Sequence, residues 1–119
     1  MAPASYFNKS MLYLEAKLQS VHIVYLIFTD DVQWSVDNVM SLRPNNSVLV
    51  SNFTDNYLTD FYLLTRCNHV IMSVGTFGWW GAYLAGGLTT YYGEHGKPNS
   101  RYRAQYNDDD LFPPSWVKL

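Results

Sequence analysis

The sequence holds a single cysteine, Cys67, among 119 residues. That excludes an intrachain disulfide and any cysteine-based metal site. The three histidines, His22, His69 and His95, lie far apart without ligand spacing, so no metal is expected. Only 15% of residues are charged, the formal net charge is −2, and no basic stripe occurs. The polycationic surface that a nucleic acid requires is therefore missing. No apolar run approaches the ~20 residues of a membrane-spanning helix. The opening residues, Met1 to Phe7, lack a basic region followed by an apolar core, so they do not read as a signal peptide. On these absences alone the chain reads as cytosolic.

What is present argues for one compact domain. Hydrophobic residues make up 48% of the chain and aromatics 17%, with ten tyrosines and four tryptophans. Such a composition builds a core and excludes compositional disorder. Three N-x-S/T sequons, at Asn8, Asn45 and Asn52, exceed the roughly one expected by chance and hint at a parent protein of the secretory pathway. Ordinary polar loop positions explain them equally well.

Along the chain, apolar periodicity alternates between helix and strand. Phe7, Met11, Leu14 and Leu18 form one stripe of a helix over residues 5–20, with Ser5 as its N-cap. Ile23 to Phe28 is a continuous β-rich run of the kind buried on both faces of a parallel sheet. A second helix is expected from Val32 to Met40 with Val32, Val36 and Val39 inward, broken by Arg43-Pro44-Asn45-Asn46. Val48 to Val50 is a short strand. Asp55 or Asn56 caps a third helix with Tyr57, Phe61 and Leu64 on one face. His69 to Ser73 is a third strand, and Gly75 to Gly78 turns into a helix over about Phe77 to Ala85. That helix is apolar nearly all round and is expected to be buried, with Trp79, Trp80 and Tyr83 in the core. Gly86-Gly87 stops it. Leu88 to Tyr92 is a fourth strand, and residues 93–119 are expected to form a tail packed on the body. This order predicts a parallel α/β sheet with flanking helices. Opening on a helix leaves that helix without the strand that a crossover needs, which hints at a piece of something larger.

Two strand ends carry candidate chemistry, because ligands of open α/β sheets bind outside the carboxyl ends of the strands. Thr29-Asp30-Asp31 could accept hydrogen bonds from a ribose or from the N–H edge of guanine. It could equally be a helix N-cap, and the sequence alone favours the cap. Ser73-Val74-Gly75-Thr76-Phe77-Gly78 offers two hydroxyls, two glycines that permit close approach, and the N–H groups of a helix start. That arrangement suits a phosphate, but a tight turn with glycines for packing fits as well, since the spacing matches no standard phosphate loop. Elsewhere the structural roles prevail: His69 as a hydrogen-bonded strand residue, Cys67 as a small buried hydrophobe, Glu94-His95 as a solvated loop, and Asp108-Asp109-Asp110 as a solvated surface run.

Taken together, Asp60 to Gly87 resembles the C-terminal motif of the α-1,2-fucosyltransferases, glycosyltransferase family 11. Its pattern runs roughly D-F-x-L-L-x-x-C-x-H-x-I-x-x-x-G-T-F-G-x-W-x-A-Y-L-x-G-G. Phe28-Thr29-Asp30-Asp31-Val32-Gln33-Trp34 resembles the family's F-S-D-D-x-x-W motif, and Phe112-Pro113-Pro114-Ser115-Trp116 its closing segment. The resemblance implies a Rossmann-like parallel sheet, the C-terminal half of a GT-B enzyme. It implies a GDP-fucose-binding domain over residues 1–119 that is incomplete at its N-terminus. The implied reaction moves L-fucose from GDP-fucose to a galactose hydroxyl of a glycan with inversion and without a metal ion or other cofactor. Asp30 and Asp31 would lie near the guanosine, and Ser73, Gly75, Thr76, Phe77 and Gly78 near the diphosphate. The implied location is the lumenal side of the Golgi membrane, through an anchor absent from this chain. The family's H-x-R-R-G-D motif, whose arginine is expected to meet the diphosphate, is also absent. Ser35 stands where many members have Cys, and Leu88 where many have an acidic residue. Little turnover is expected from these residues alone. A short relative acting as a non-catalytic binding module is the alternative, and no catalytic residue is assigned.

Overall fold

The computed structural model describes residues 1–19, 21–44, 48–51, 56–94, 99–105 and 107–119. Its elements run α1 (Ala4–Lys17), β1 (Tyr25–Ile27), α2 (Val32–Asn38), a 3-10 turn (Met40–Leu42), β2 (Val48–Val50), α3 (Tyr57–Thr65), β3 (Val70–Met72), α4 (Thr76–Ala85), β4 (Thr89–Tyr91), α5 (Arg101–Gln105), α6 (Asp108–Leu111) and β5 (Val117–Lys118). The chain is an α/β protein with parallel sheets and flanking helices. Among the described residues there are two sheets instead of one. β1 pairs with β2, and β3, β4 and β5 pair in that order. Every ladder is parallel, with Tyr25 opposite Val48, Val70 opposite Thr89, and Thr90 opposite Val117.

The helices divide between two faces. The Tyr25 hydroxyl donates to Glu15 Oε1 of α1 at 3.0 Å, so Tyr25 and Ile27 face α1. α2 sits beside α1, where Phe7 meets Trp34 edge-on at 6.1 Å. Phe28, of opposite parity to Tyr25, packs instead against Leu64 of α3, Ala82 of α4, and Val70, Met72 and Tyr91 of the second sheet. α3 and α4 thus cover the opposite face, with Phe61 against Phe77 at 5.5 Å. Leu64 fits over Gly81, where a Cβ would collide with it. The register partners Leu26 and Leu49 lie on that second face and stay 47% and 56% exposed.

Several local expectations are corrected. α1 begins after Pro3 rather than at a Ser5 cap, and its buried stripe is Tyr6, Ser10, Met11 and Leu14, with Phe7 half-covered. α2 is shorter than expected. It turns Val32, Ser35 and Val39 inward and leaves Val36 exposed, because positions i, i+3 and i+7 share a face. On α3, Asn56 caps by accepting from the Thr59 N–H, while Asp55 lies outside the described residues. The buried positions of α3 are Asp60 and Leu64, and Tyr57 is exposed. α4 is not buried all round: Gly81 and Ala82 are, whereas Phe77, Trp80, Tyr83 and Leu84 are exposed. Only Trp79 of the expected aromatic trio packs on the core.

The C-terminal residues hold more structure than a tail. Asn107 caps α6, so the three aspartates of the surface run form a helical turn, with Asp109 and Asp110 exposed and Asp108 paired with Lys118 at 2.5 Å. The Trp79 indole N–H donates to the Leu111 carbonyl at 2.7 Å. Phe112 stacks on Tyr91 with ring centroids 3.9 Å apart. β5, which the sequence reading lacked, then adds to the sheet edge.

Candidate functional site

The candidate residues emerge at the carboxyl edge of the two sheets. Phe28, just past β1, packs on the core cluster to which Met72, the last residue of β3, belongs. Thr29, Asp30 and Asp31 follow the first strand. The Asp31 N–H donates to Thr29 Oγ1 at 3.0 Å, and Asp31 Oδ1 accepts from the Trp34 N–H at 3.0 Å. Asp31 is therefore the N-cap of α2 with one carboxylate oxygen committed to the helix. Asp30 beside it is exposed.

The second loop is Ser73 to Gly78. Gly75 is the N-cap of α4, with φ 96° and ψ 166°, a conformation essentially reserved for glycine. It makes no side-chain cap, unlike Asp31 and Asn56, although α1 after Pro3 also lacks one. The first helical bond of α4 is Trp79 N–H to Gly75 O at 3.2 Å. The N–H groups of Thr76, Phe77 and Gly78 thus precede the ladder and have no acceptor among the described residues. Thr76 and Phe77 are exposed and Ser73 and Gly78 half-buried, so the helix start is open to solvent. Gly78 lets the helix sit close to β3: a Cβ there would come within 3.1 Å of Met72 Cγ. Chemically, the loop presents backbone donors at the positive end of a helix, suited to an anion. No ion pair or hydrogen bond joins a Lys or Arg side chain to it among the described residues.

The same edge carries a buried carboxylate to which the sequence reading gave no role. Asp60 is 8% exposed and accepts from the Ser51 hydroxyl at 2.8 Å, just past β2. Its signal was available, since it opens the long motif ending at Gly87. On the amino side of the strands, Arg43 pairs with Glu15 at 2.7 Å and holds the Glu15 carboxyl below its usual range, chiefly by this hydrogen bond.

The structural roles expected elsewhere take definite form. His69 Nδ1 accepts from the Leu88 N–H at 2.9 Å. Cys67 is half-buried, donates to Leu63 O at 3.4 Å, and burial pushes its thiol pKa up. Exposed Glu94 accepts from the Tyr92 hydroxyl at 3.2 Å, while His95 lies outside the described residues. Of the sequons, Asn45 and Asn52 also lie outside them. Asn8 sits within α1, where its Oδ1 accepts from Arg43 at 3.0 Å. Among the described residues no helix is long and apolar enough to cross a membrane.

Fold and site together define a parallel α/β chain with an anion-ready helix start at the carboxyl edge of its strands. The model of glycosyl transferase family 11 matches it over residues 1–119, and the chain belongs to that family. It is 35% identical over 119 residues to the galactoside 2-alpha-L-fucosyltransferase SEC1 of Bos taurus, covering all of this chain and 32% of that protein. It is 32% identical to the galactoside alpha-(1,2)-fucosyltransferase 2 of Rattus norvegicus, again over the whole chain and 33% of the relative. To the galactoside alpha-(1,2)-fucosyltransferase 1 of Homo sapiens it is 31% identical over 98% of this chain and 31% of the relative. The chain thus spans about a third of the length of the curated relatives it matches. No solved structure matches it.

Proposed function

We propose that this chain is the GDP-fucose-binding part of a GT-B-type galactoside α-1,2-fucosyltransferase. Such an enzyme transfers L-fucose with inversion to a galactose hydroxyl of a glycan, at the lumenal side of the Golgi membrane. The observation that carries the reading is the uncapped, solvent-facing start of α4 at Gly75, inside a chain that matches the family throughout. The N–H groups of Thr76, Phe77 and Gly78 would meet the diphosphate, with the Ser73 and Thr76 hydroxyls beside them. Asp30 and the uncommitted oxygen of Asp31 would accept from the guanosine.

The physics of the step supports this use. When the glycosidic bond to fucose breaks, negative charge gathers on the departing GDP. Preorganised donors stabilise that charge without reorganising, and they do so without a metal. The helix start supplies dipolar stabilisation only, so a cation must complete the site, which the family's H-x-R-R-G-D arginine would provide from outside this chain. For the same reason these residues alone should turn over little substrate. Calorimetry with GDP tests the assignment, on this chain and on the intact bovine relative. Binding to both with a measurable heat is expected, and the absence of binding to either would sink the donor site.

A further inference from the structure

We propose that the C-terminal segment from Asn107 to Leu119 is a clamp on the start of α4, and that Trp79 is the positioning residue through which it acts. Its effect on GDP rests on the donor reading above, whereas the clamp itself rests on contacts alone. The start of α4 lacks what usually holds a helix start. Gly75 makes no side-chain cap, and the turn closes on the bond from the Trp79 N–H to Gly75 O at 3.2 Å. An uncapped first turn lies at the fraying end of the range of local stabilities. The residue that closes this turn is also the one that the C-terminal segment grips. The Trp79 indole N–H donates to Leu111 O at 2.7 Å, and its ring meets that of Trp116 at 5.5 Å. Both contacts come from outside α4, so they hold the turn against fraying where another helix would use a cap.

A grip of this kind works only if its other end is fixed. β5 pairs with β4, and the Leu119 N–H donates to Tyr91 O at 3.1 Å. Phe112, next to the gripping carbonyl, stacks on buried Tyr91 at 3.9 Å with an interplanar angle of 14°. The ion pair of Asp108 with Lys118 ties the two ends of the segment to each other. Gly93 has no room for a Cβ, because the Lys118 side chain lies against it. All three residues of β4 are buried, so the segment is moored to a covered strand. On its other flank α4 leans on α3, with Phe77 against Phe61 at 5.5 Å and Gly81 under Leu64. Positions 77 and 81 lie about 200° around a helix from position 79, so the two supports act from opposite sides. The N–H groups of Thr76, Phe77 and Gly78 keep one direction only while the turn is closed. Opening the turn in some molecules lowers donor affinity by the fraction that stays closed.

Amide hydrogen exchange without ligand tests the clamp in two variants. Trp79→Phe removes the indole donor and keeps a ring. Phe112→Leu removes the stack on Tyr91 and keeps the bulk. In Trp79→Phe the amide at position 79, corrected for its intrinsic rate, should exchange about threefold or more faster. The Gly86 amide, bonded to Ala82 O at 3.1 Å at the far end of α4, should keep its rate. Phe112→Leu should speed the position-79 amide in the parent and add nothing once Trp79→Phe is present. A merely structural role would speed positions 79 and 86 alike, or add across the two substitutions, and either result overturns the clamp. If Phe112→Leu does not fold, Lys118→Ala, which removes the pair with Asp108, takes its place in the cycle under the same criteria. Calorimetry then reads the donor: the Kd for GDP should rise about two- to fourfold in Trp79→Phe. An unchanged Kd in that variant overturns the bearing of the clamp on the donor. A parent chain that shows the expected exchange pattern but binds no GDP refutes the donor reading and leaves the clamp standing.

Discussion

Replacing Gly75 by Ala isolates the backbone term of the candidate site. A Cβ built at Gly75 meets nothing within 4 Å, so no collision contributes. What remains is conformation. At φ 96° and ψ 166° the residue occupies a region that other residues enter only at about 1–3 kcal/mol. A mid-range loss of ~2 kcal/mol shifts the folding equilibrium roughly 30-fold and lowers the Tm of a domain this size by about 6–12 °C. Gly86 supplies the control. It too meets nothing within 4 Å, but at φ 75° and ψ 8° it lies in the ordinary left-handed region. There Ala costs about 1–2 kcal/mol and Asn much less, because Asn visits that region readily. Urea denaturation of Gly75→Ala, Gly75→Asn, Gly86→Ala and Gly86→Asn reads the four energies. Asn should recover stability at position 86 and not at 75. In calorimetry on folded protein, Gly75→Ala should weaken GDP binding more than tenfold while Gly86→Ala, at the far end of α4, leaves it unchanged. A Gly75→Ala variant within about 0.5 kcal/mol of the parent, or rescue by Asn at position 75, would refute the reasoning.

Two further outcomes follow from contacts of α1. Tyr6→Phe removes the buried hydroxyl that donates to Met72 O at 2.6 Å and should cost ~1–2 kcal/mol by denaturation, with no change in m-value. The Glu15–Arg43 pair carries a pH signature. Glu15 and Arg43 side chains are 36% and 20% exposed, so screening holds the contribution to about 0.5–1 kcal/mol. Because Arg43 lowers the folded-state pKa of Glu15, the stabilisation is present above the ordinary carboxyl value and is lost as pH falls through the lowered one. Parent and Glu15→Gln should therefore differ in denaturation midpoint at pH 7 and converge below about pH 4; a gap that persists in acid would exclude this linkage.

Periodicity located α1, α2, α3 and α4 and the first four strands because each helix stripe and each apolar strand run is a local property. It could not give sheet neighbours. Alternation of strand and helix fixes the crossovers, yet which strands are neighbours across a sheet is a long-range property that no local pattern records. Strand length was overestimated for the same reason: Ile23 to Phe28 is apolar throughout, but the ladder spans only Tyr25–Ile27, opposite Val48–Val50. β5 was invisible because a two-residue strand after Pro113-Pro114 carries no period, and contacts remote in sequence hold it: Leu119 N–H on Tyr91 O, Phe112 on Tyr91, and Lys118 on Asp108. The exposed flank of α4 is the instructive failure. An all-round apolar helix does need cover, but the sequence does not say that the cover lies within these residues. Gly81 and Ala82 are spent on α3, and Trp80, Tyr83 and Leu84 turn outward.

The stretch from Asp60 to Gly87, the most specific likeness to the family, proves to be largely a packing unit. Asp60 ties the start of α3 to Ser51 past β2. Leu64 closes over Gly81 and Met72 over Gly78, which locks α4 onto α3 and β3. At the other end of the unit, Gly87 passes so close to the Asn68 carbonyl that any side chain would collide with it, and this lets the next peptide reach His69. Apart from the Gly78 N–H, these residues serve the packing and not the proposed donor array. Their combined effect is to fix the position and axis of α4, and hence the direction in which the N–H groups of Thr76, Phe77 and Gly78 point. A donor array that acts by preorganisation depends on that fixity more than on any single side chain. The motif thus specifies a loop of unremarkable composition by specifying what holds it. That also explains why the loop alone, read from its two glycines and two hydroxyls, left the phosphate reading and the plain-turn reading in balance.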